Sequence, residues 1–351
     1  MMPSHKEEKM KTKIAAIVTS LMLVANLPAL ADSKQLINGA GATFPYPIYT
    51  KWFSEYSKVD PSVNFNYQSI GSGGGIKQIS AQTVDFGASD AALTNQQLLA
   101  APGRLFHIPM VAGAVVVTYN IPGITEHLKL APDVIADIFL GKLKKWNDPR
   151  IAEPNAGIDL PPTDITVVHR SDGSGTTNIF TDYLSSVSGE WKRKVGKSTA
   201  VAWPVGLGGK GNEGVAGAIK QTPNSVGYVE LAYAEKNNLP YAEIQNKSGN
   251  FILPSLESTT KAIEGKLDTM PDDFRVSLVN PDGAEAYPIA GFTWILIYQK
   301  QKNSVKGKAL LDFLKWAIHD GQQYTKDLLY APLPDSVVTK IEQRLAQVEI
   351  K

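Results

Sequence analysis

Beyond Asp32 the sequence alternates between short β-like runs and helical patterns almost to its end, and this alternation restricts the fold more than any other feature. LINGAG leads into a helical stretch from about Phe44 to Lys58, VNFNYQSI into one from about Gly73 to Gln82, and VDFGASD into a third. Strands that are each followed by a helix predict an α/β protein with predominantly parallel sheets. In such sheets ligand sites gather at the carboxyl ends of the strands, where strand-to-helix turns collect. At 351 residues, 43% of them hydrophobic, the chain can bury a sizeable core and is longer than a usual single domain, which points to two lobes. There is no Ser/Gly-rich linker and no repeat of fixed period, so the lobes are expected to be joined by short crossings.

Further along, ITVVHR precedes DGSGTTNIFTDYL, and a helix near Val215 to Lys220 precedes SVGYVE. AYPIAGFTWILIYQK is too long and aromatic for an ordinary strand and reads as one passing from one lobe to the other. Leu310, Phe313, Leu314 and Ala317 recur at helical spacing, as do Val338, Ile341, Leu345 and Val348, with Asp335 placed to cap the second helix. Both stripes read as core packing.

At the N-terminus, Lys11 and Lys13 precede an apolar run from Ile14 to Leu27, and Ala29-Leu30-Ala31 stands before Asp32. This is the pattern of a secretory signal with a small-residue cleavage site, and the run falls short of the roughly 20 residues of a membrane span. Residues 1–31 are therefore expected to be a cleaved signal peptide. Its removal takes Lys6, Lys9, Lys11, Lys13, Glu7 and Glu8 and lowers the formal charge from +1 to about −1. No basic field for nucleic acid remains. The chain has no cysteine, which excludes disulfides, thiolate metal sites, a cysteine nucleophile and a lipid-modified cysteine. A freely soluble periplasmic protein is expected.

Three strand-to-helix junctions share one chemistry: GAGATF (residues 39–44), IGSGGG (70–75) and DGSGTT (172–177). The first turn of a helix leaves backbone N–H groups unpaired and its dipole favours negative charge, so each junction can cradle an anion. Glycine lets the anion approach the backbone, and Ser or Thr adds a rotatable donor. Any one of them alone is more simply an N-cap. Three in one chain favour convergence on a small ligand.

Other chemistries fail on particular residues of DGSGTT. Neither it nor GLGGKGNEG (206–214) supplies the lysine and hydroxyl residue of a phosphate loop of the G-x-x-x-x-G-K-[ST] kind. Ser174 lacks the glycine spacing of a nucleophile elbow, and the run after Asp172 lacks the alternate acidic residues of a calcium loop. The histidines, His5, His107, His127, His169 and His319, show no paired metal-ligand spacing. An exported serine hydrolase would need a base beside Ser174. The local candidate is His169, which on an extended strand points away from Arg170. Arg170, two residues before Asp172 and four before Ser174, offers a planar fork for oxyanions, with Asp172 to hold it. The alternative for that pair is a surface ion pair of little consequence. Asp90 is odd in an anion site unless the anion carries a proton to donate. A carboxylate would accept from protonated phosphate and disfavour sulfate, because a buried acceptor left unpaired costs about 1–3 kcal/mol.

Taken in order, GAGATFPYPIYTKW, NYQSIGSGGGIKQI, VDFGASDAAL and HRSDGSGTTNIFTDYL resemble the substrate-binding proteins of bacterial phosphate-specific ABC transport systems, through almost the whole mature chain. The resemblance implies a two-lobed periplasmic binding protein fold, each lobe a mixed, mostly parallel sheet flanked by helices, with ligand in the cleft. Lobe I would comprise residues 32–112 and 286–351, and lobe II residues 113–285. The implied phosphate ligands are Thr43, Phe44, Ser72, Asp90 as the acceptor, Arg170, Ser174, Gly175 and Thr176, with Asp172 orienting Arg170. Gly73 stands where some relatives have a second serine. The implied partners are inorganic phosphate and a membrane permease with a separate cytoplasmic ATPase. No cofactor, metal or catalytic residue is expected, and the protein is expected to be a monomer. Another tetrahedral oxyanion, sulfate or arsenate, is the alternative cargo.

Overall fold

The computed structural model describes residues 34–350, and the expected signal peptide, residues 1–31, lies outside them. The chain first follows the expected alternation: β1 (Gln35–Gly41), α1 (Tyr46–Val59), β2 (Val63–Ser69), α2 (Ser72–Ser80), β3 (Phe86–Ser89) and the short α3 (Asn95–Ala100). β1 pairs in parallel with β2 on one side and β3 on the other. On α1 the buried residues are Ile48, Tyr49, Trp52 and Tyr56, a stripe along one helix face.

β4 (Leu105–Asn120) then runs for 16 residues, buried along all but its last. Next come β5 (Lys129–Leu130), α4 (Pro132–Phe139), α5 (Pro149–Ala152), β6 (Thr166–Arg170), α6 (Gly175–Val187), α7 (Gly189–Lys194), β7 (Leu207–Gly209), α8 (Gly211–Gln221), β8 (Ser225–Glu230), α9 (Leu231–Lys236), β9 (Glu243–Gln245), β10 (Phe251–Ile252) and α10 (Leu256–Glu264). The chain returns through β11 (Ala290–Tyr298), followed by β12 (Lys300–Gln301), α11 (Ser304–Ile318), α12 (Asp335–Leu345) and β13 (Glu349–Ile350).

Eight strands form one curled sheet in the order β2-β1-β3-β11-β4-β8-β6-β7. The outer strands on each side pair in parallel, as the βα alternation requires. The two long central strands are antiparallel to each other, β11 to β3 and β4 to β8. They carry the sheet from one lobe into the next. β11 is the crossing expected from AYPIAGFTWILIYQK, and β4 is a second, longer crossing that the sequence reading did not single out. Its run LFHIPMVAGAVVVTYN is covered on both faces, so it shows no alternation.

Each lobe has its own aromatic core. In the first, Phe53 stacks on Phe65 at 4.7 Å, and Phe313 from α11 packs on Phe65 at 4.4 Å and edge-on to Tyr56 at 5.3 Å. In the second, Phe180 of α6 stacks on Tyr228 of β8 at 4.3 Å, with Trp203 on the same tyrosine at 5.6 Å. The stripe Leu310, Phe313, Leu314 and Ala317 is buried, as expected. In α12 the deepest residues are Val337, Ile341 and Leu345, whereas Val338 is half-buried. Pro334 occupies the N-cap of that helix without a side-chain hydrogen bond, so Asp335 contributes only charge to the first turn. No helix among the described residues is long and apolar enough to cross a membrane.

Because Phe313 seals the first lobe from the far end of the chain, Phe313→Ala is expected to lower unfolding free energy by about 3–5 kcal/mol in urea titrations. A loss below about 1 kcal/mol would mean that α11 does not share the core of β1–β3.

Candidate functional site

The cleft between the lobes is lined by the carboxyl ends of β1, β3 and β6 and by the starts of α2, α6 and α8. At the first junction the helix begins later than expected. Tyr46 opens α1, with Pro45 at the N-cap and no side-chain cap, so Thr43 and Phe44 sit in a turn ahead of the helix. The second junction places Ser72 as the first residue of α2, behind Gly71 with φ 85°. At the third, Ser174 is the N-cap of α6, and its Oγ accepts the N–H of Thr177 at 3.0 Å.

Ser72 joins the two lobes. Its buried Oγ accepts the N–H of Asp90 at 3.1 Å and the N–H of Gly175, at the start of α6, at 3.0 Å. It faces Asp90 Oδ2 at 3.4 Å. Gly175 is required there, because a Cβ on it would lie 2.5 Å from both Asp90 Oδ2 and Ser72 Oγ. Asp90 is 2% exposed, and its Oδ1 has no hydrogen-bond partner. Burial pushes its carboxyl up to about 7, against the pull of Thr293, Arg170 and Ser72.

Arg170 ends β6 with its side chain 1% exposed, so the surface ion-pair reading does not hold. Its Nε and one terminal nitrogen donate to Asp172 Oδ1 and Oδ2 at 2.7 and 2.6 Å, and the other terminal nitrogen reaches Thr176 Oγ1 at 3.4 Å. Burial raises the Asp172 carboxyl, but the Arg170 fork and the N–H of Gly211 at 3.0 Å outweigh it and hold the group below its ordinary value. Gly71 faces this pair across the cleft: a Cβ on it would come 2.4 Å from Asp172 Oδ2. The lobes meet again where Gly73 N–H donates to the Gly173 carbonyl at 2.9 Å. A side chain at Gly73 would press on Gly173 Cα at 3.1 Å, so the missing second serine permits a close approach of the lobes.

Sequence reasoning missed Asn212, in the first turn of α8. Its Nδ2 donates to Thr43 Oγ1 at 2.7 Å and to Thr176 Oγ1 at 3.2 Å, its backbone N–H reaches Thr43 Oγ1 at 3.2 Å, and its Oδ1 accepts from Glu230 N–H at 2.9 Å. The sequence does carry a signal for it: GGKGNEG is a fourth glycine turn at a strand-to-helix junction. Tyr233, whose hydroxyl donates to the Thr43 carbonyl at 2.5 Å, gave no local signal.

All eight expected ligand positions and Asp172 thus belong to one connected cluster across the cleft. Thr43, Ser174 and Thr176 each accept from N–H donors, which leaves their hydroxyl protons free to point at an acceptor, whereas Ser72 accepts two N–H groups and turns its own proton toward Asp90 Oδ2. His169 stacks on Trp203 at 4.9 Å and turns Nδ1 toward the Arg170 carbonyl at 3.0 Å, while the hydroxyl oxygen of Ser174 accepts the N–H of Thr177.

Known proteins agree with this architecture. A family model described as a PBP superfamily domain matches residues 28–320. The phosphate-binding protein PstS of Pasteurella multocida is 48% identical over 90% of this chain and 91% of its own length. The protein of the same name from Xylella fastidiosa is 46% identical over 90% and 86%. Among solved structures, the high-affinity periplasmic phosphate-binding protein PfluDING, bound with phosphate, superposes with a TM-score of 0.69 at 20% identity, over 88% of this chain and 93% of its own. At that identity the likeness speaks for the fold. The two-lobed sheet and the extent of these matches lead to one assignment: the chain belongs to the PBP superfamily and, within it, to the PstS family of phosphate-binding proteins.

Proposed function

We propose that this protein captures inorganic phosphate between its lobes in the periplasm and hands it to the membrane permease of an ABC importer, whose ATPase is a separate subunit. In this reading residues 32–112 and 286–351 form lobe I, residues 113–285 form lobe II, and the protein acts as a monomer. Thr43, Phe44, Ser72, Ser174, Gly175 and Thr176 donate hydroxyl and backbone protons to the phosphate oxygens. Arg170, aimed by Asp172, supplies the charged donor, and Asp90 accepts the phosphate proton. Ligand binding replaces the hydration shell with fixed groups and favours the closed arrangement. No group acts on the cargo chemically.

The observation that carries the reading is the position of Asp90 against the first residue of α6, with Arg170 on the same helix start. A helix N-terminus and a guanidinium call for an anion, and a buried carboxyl oxygen calls for a proton on it. Protonated phosphate meets both demands. Sulfate meets only the first, while arsenate resembles phosphate in both.

A thermal-shift series with phosphate, arsenate and sulfate at equal ionic strength tests the reading directly. A thousandfold excess of phosphate over Kd is expected to stabilise the protein by about 4 kcal/mol. No shift with phosphate would sink it. Arg170→Ala is expected to weaken phosphate binding by about two to three powers of ten while the protein remains folded by circular dichroism, because the charged donor is lost and the half-buried Asp172 carboxylate, still held by the Gly211 N–H, is left uncompensated beside the anion. Tight binding by that variant in calorimetry would show that the uncharged donors suffice.

Asp90→Asn is expected to narrow the preference for phosphate over sulfate more than it weakens phosphate binding. Unchanged selectivity would remove Asp90 from its proposed role. The same logic sets a pH dependence. With the Asp90 carboxyl near 7, the ionised acid opposes sulfate above that pH, and the protonated acid can donate to sulfate below it. Sulfate affinity is therefore expected to rise as pH falls through about 7, by up to about tenfold per unit above that value, and to be flat in Asp90→Asn. Parallel pH profiles for the two proteins would count against it.

A further inference from the structure

Glu230 lies at the end of β8, fully buried, and the proposed function gives it no task. Its Oε2 accepts the N–H of Ala232 at 3.0 Å, and its Oε1 has no partner. The same Oε2 is 3.2 Å from the hydroxyl of Tyr330, which donates to the Phe44 carbonyl at 2.7 Å. A tyrosine hydroxyl has one proton, and the shorter contact takes it. The remaining contact between Tyr330 and Glu230 is then attractive only when Glu230 holds a proton and donates to the tyrosine oxygen.

The surroundings agree. Burial pushes the Glu230 carboxyl well above its ordinary range, outweighing the hydrogen bonds to the Ala232 N–H and Tyr330 that pull it down, and the negative charge of Asp90 adds to the rise. Gly113 of β4 brings the parts together: a Cβ there would stand 2.7 Å from the Phe44 ring and 3.4 Å from Glu230 Oε1. The Phe44 and Tyr330 rings are 6.2 Å apart. A chain of hydrogen bonds therefore runs from β8 through Tyr330 to the turn that holds Thr43 and Phe44.

We infer that Glu230 is a neutral acid that positions the phosphate cradle: it donates to Tyr330, which in turn fixes the Phe44 carbonyl and so the aim of the Thr43–Phe44 turn. This rests on phosphate being the cargo of that cradle. Glu230 is a positioning residue, separated from the ligand by Tyr330 and the Phe44 peptide. Hydrogen bonds in such a chain polarise one another, so losing either member should affect the cradle to a similar degree.

The test compares the full protein with Glu230→Gln, Tyr330→Phe and the double variant, reading phosphate Kd by calorimetry and the Tm of ligand-free protein. Glutamine retains an oxygen to accept from Ala232 but cannot also donate from that atom, so it keeps the cap of α9 and breaks the chain. Each single variant is expected to bind phosphate about tenfold more weakly, the double variant no more weakly than the worse single, with a phosphate-induced rise in Tm smaller than in the parent. Binding within twofold of the parent in both single variants would overturn the inference, as would additive losses or a fall in ligand-free Tm with unchanged Kd. Independently, in protein labelled at the glutamate carboxyl carbon, one NMR resonance is expected at the protonated position at neutral pH and absent from Glu230→Gln. A spectrum with every glutamate ionised overturns the inference even if the variants fail to fold. Failure of the parent itself to bind phosphate would defeat the phosphate reading, while the carboxyl spectrum would still decide the state of Glu230.

Discussion

A guanidinium with its side chain 1% exposed has to be matched by a negative group at bonding distance, and much of the cleft is arranged to meet that demand. Asp172 takes two of the Arg170 nitrogens, and the N–H of Gly211 takes part of the remaining charge on Asp172. The third nitrogen is left facing Thr176, at the start of α6. Gly71 omits a side chain where one would strike Asp172. A buried pair of this kind adds little to stability on balance, since removing both charges from water costs about as much as their attraction returns. Its effect is geometric, because it fixes the plane of the guanidinium and so the direction of the N–H groups that Asp172 and Thr176 leave unused.

Once that pair is neutral in sum, the attraction for an anion has to come from dipoles. The hydroxyls of Thr43, Ser72, Ser174 and Thr176 obtain a definite polarity because amide N–H groups occupy their lone pairs. Asn212 supplies three of those bonds and joins Thr43 in one lobe to Thr176 in the other. Donor direction and lobe contact are thus set by the same side chain. The acceptor, Asp90, is placed by the bond from its own N–H to Ser72, so the acceptor's backbone and a hydroxyl of the donor set are tied to each other.

The parts of the site that were legible in the sequence are those written locally. Ser72, Arg170, Asp172 and the Ser174–Thr176 turn lie within glycine-rich junctions whose helix starts follow from a few adjacent residues, and Ser174 and Ser72 occupy those starts. Thr43 was legible as a residue but not as a geometry: Pro45 and Pro47 delay the helix, and the threonine is held by groups from Asn212 and Tyr233. Asn212, Glu230, Tyr233 and Tyr330 are joined to the site only by folding, and the widest of these links span 100 residues or more, as in Tyr330 to Glu230 and Asn212 to Thr43. β4 was obscured for a different reason. A strand covered on both faces loses the period of two, and a continuous apolar run does not announce which lobe it belongs to.

The position of β11 in the sheet has a consequence for the order in which the molecule can be assembled. β3 borders only β1 and β11, and β4 borders only β11 and β8, so nothing before residue 290 can join the first three strands to the rest of the sheet. A chain growing from its N-terminus can pair β1 with β2 and β3, and later β4 with β8, as separate fragments. The surface between them closes only when a strand from the last fifth of the sequence is threaded into place, a long-range pairing of the kind that slows folding. The cleft is therefore among the last features to exist, and an incomplete chain presents half-cradles, without the enclosed volume in which an ion could be held.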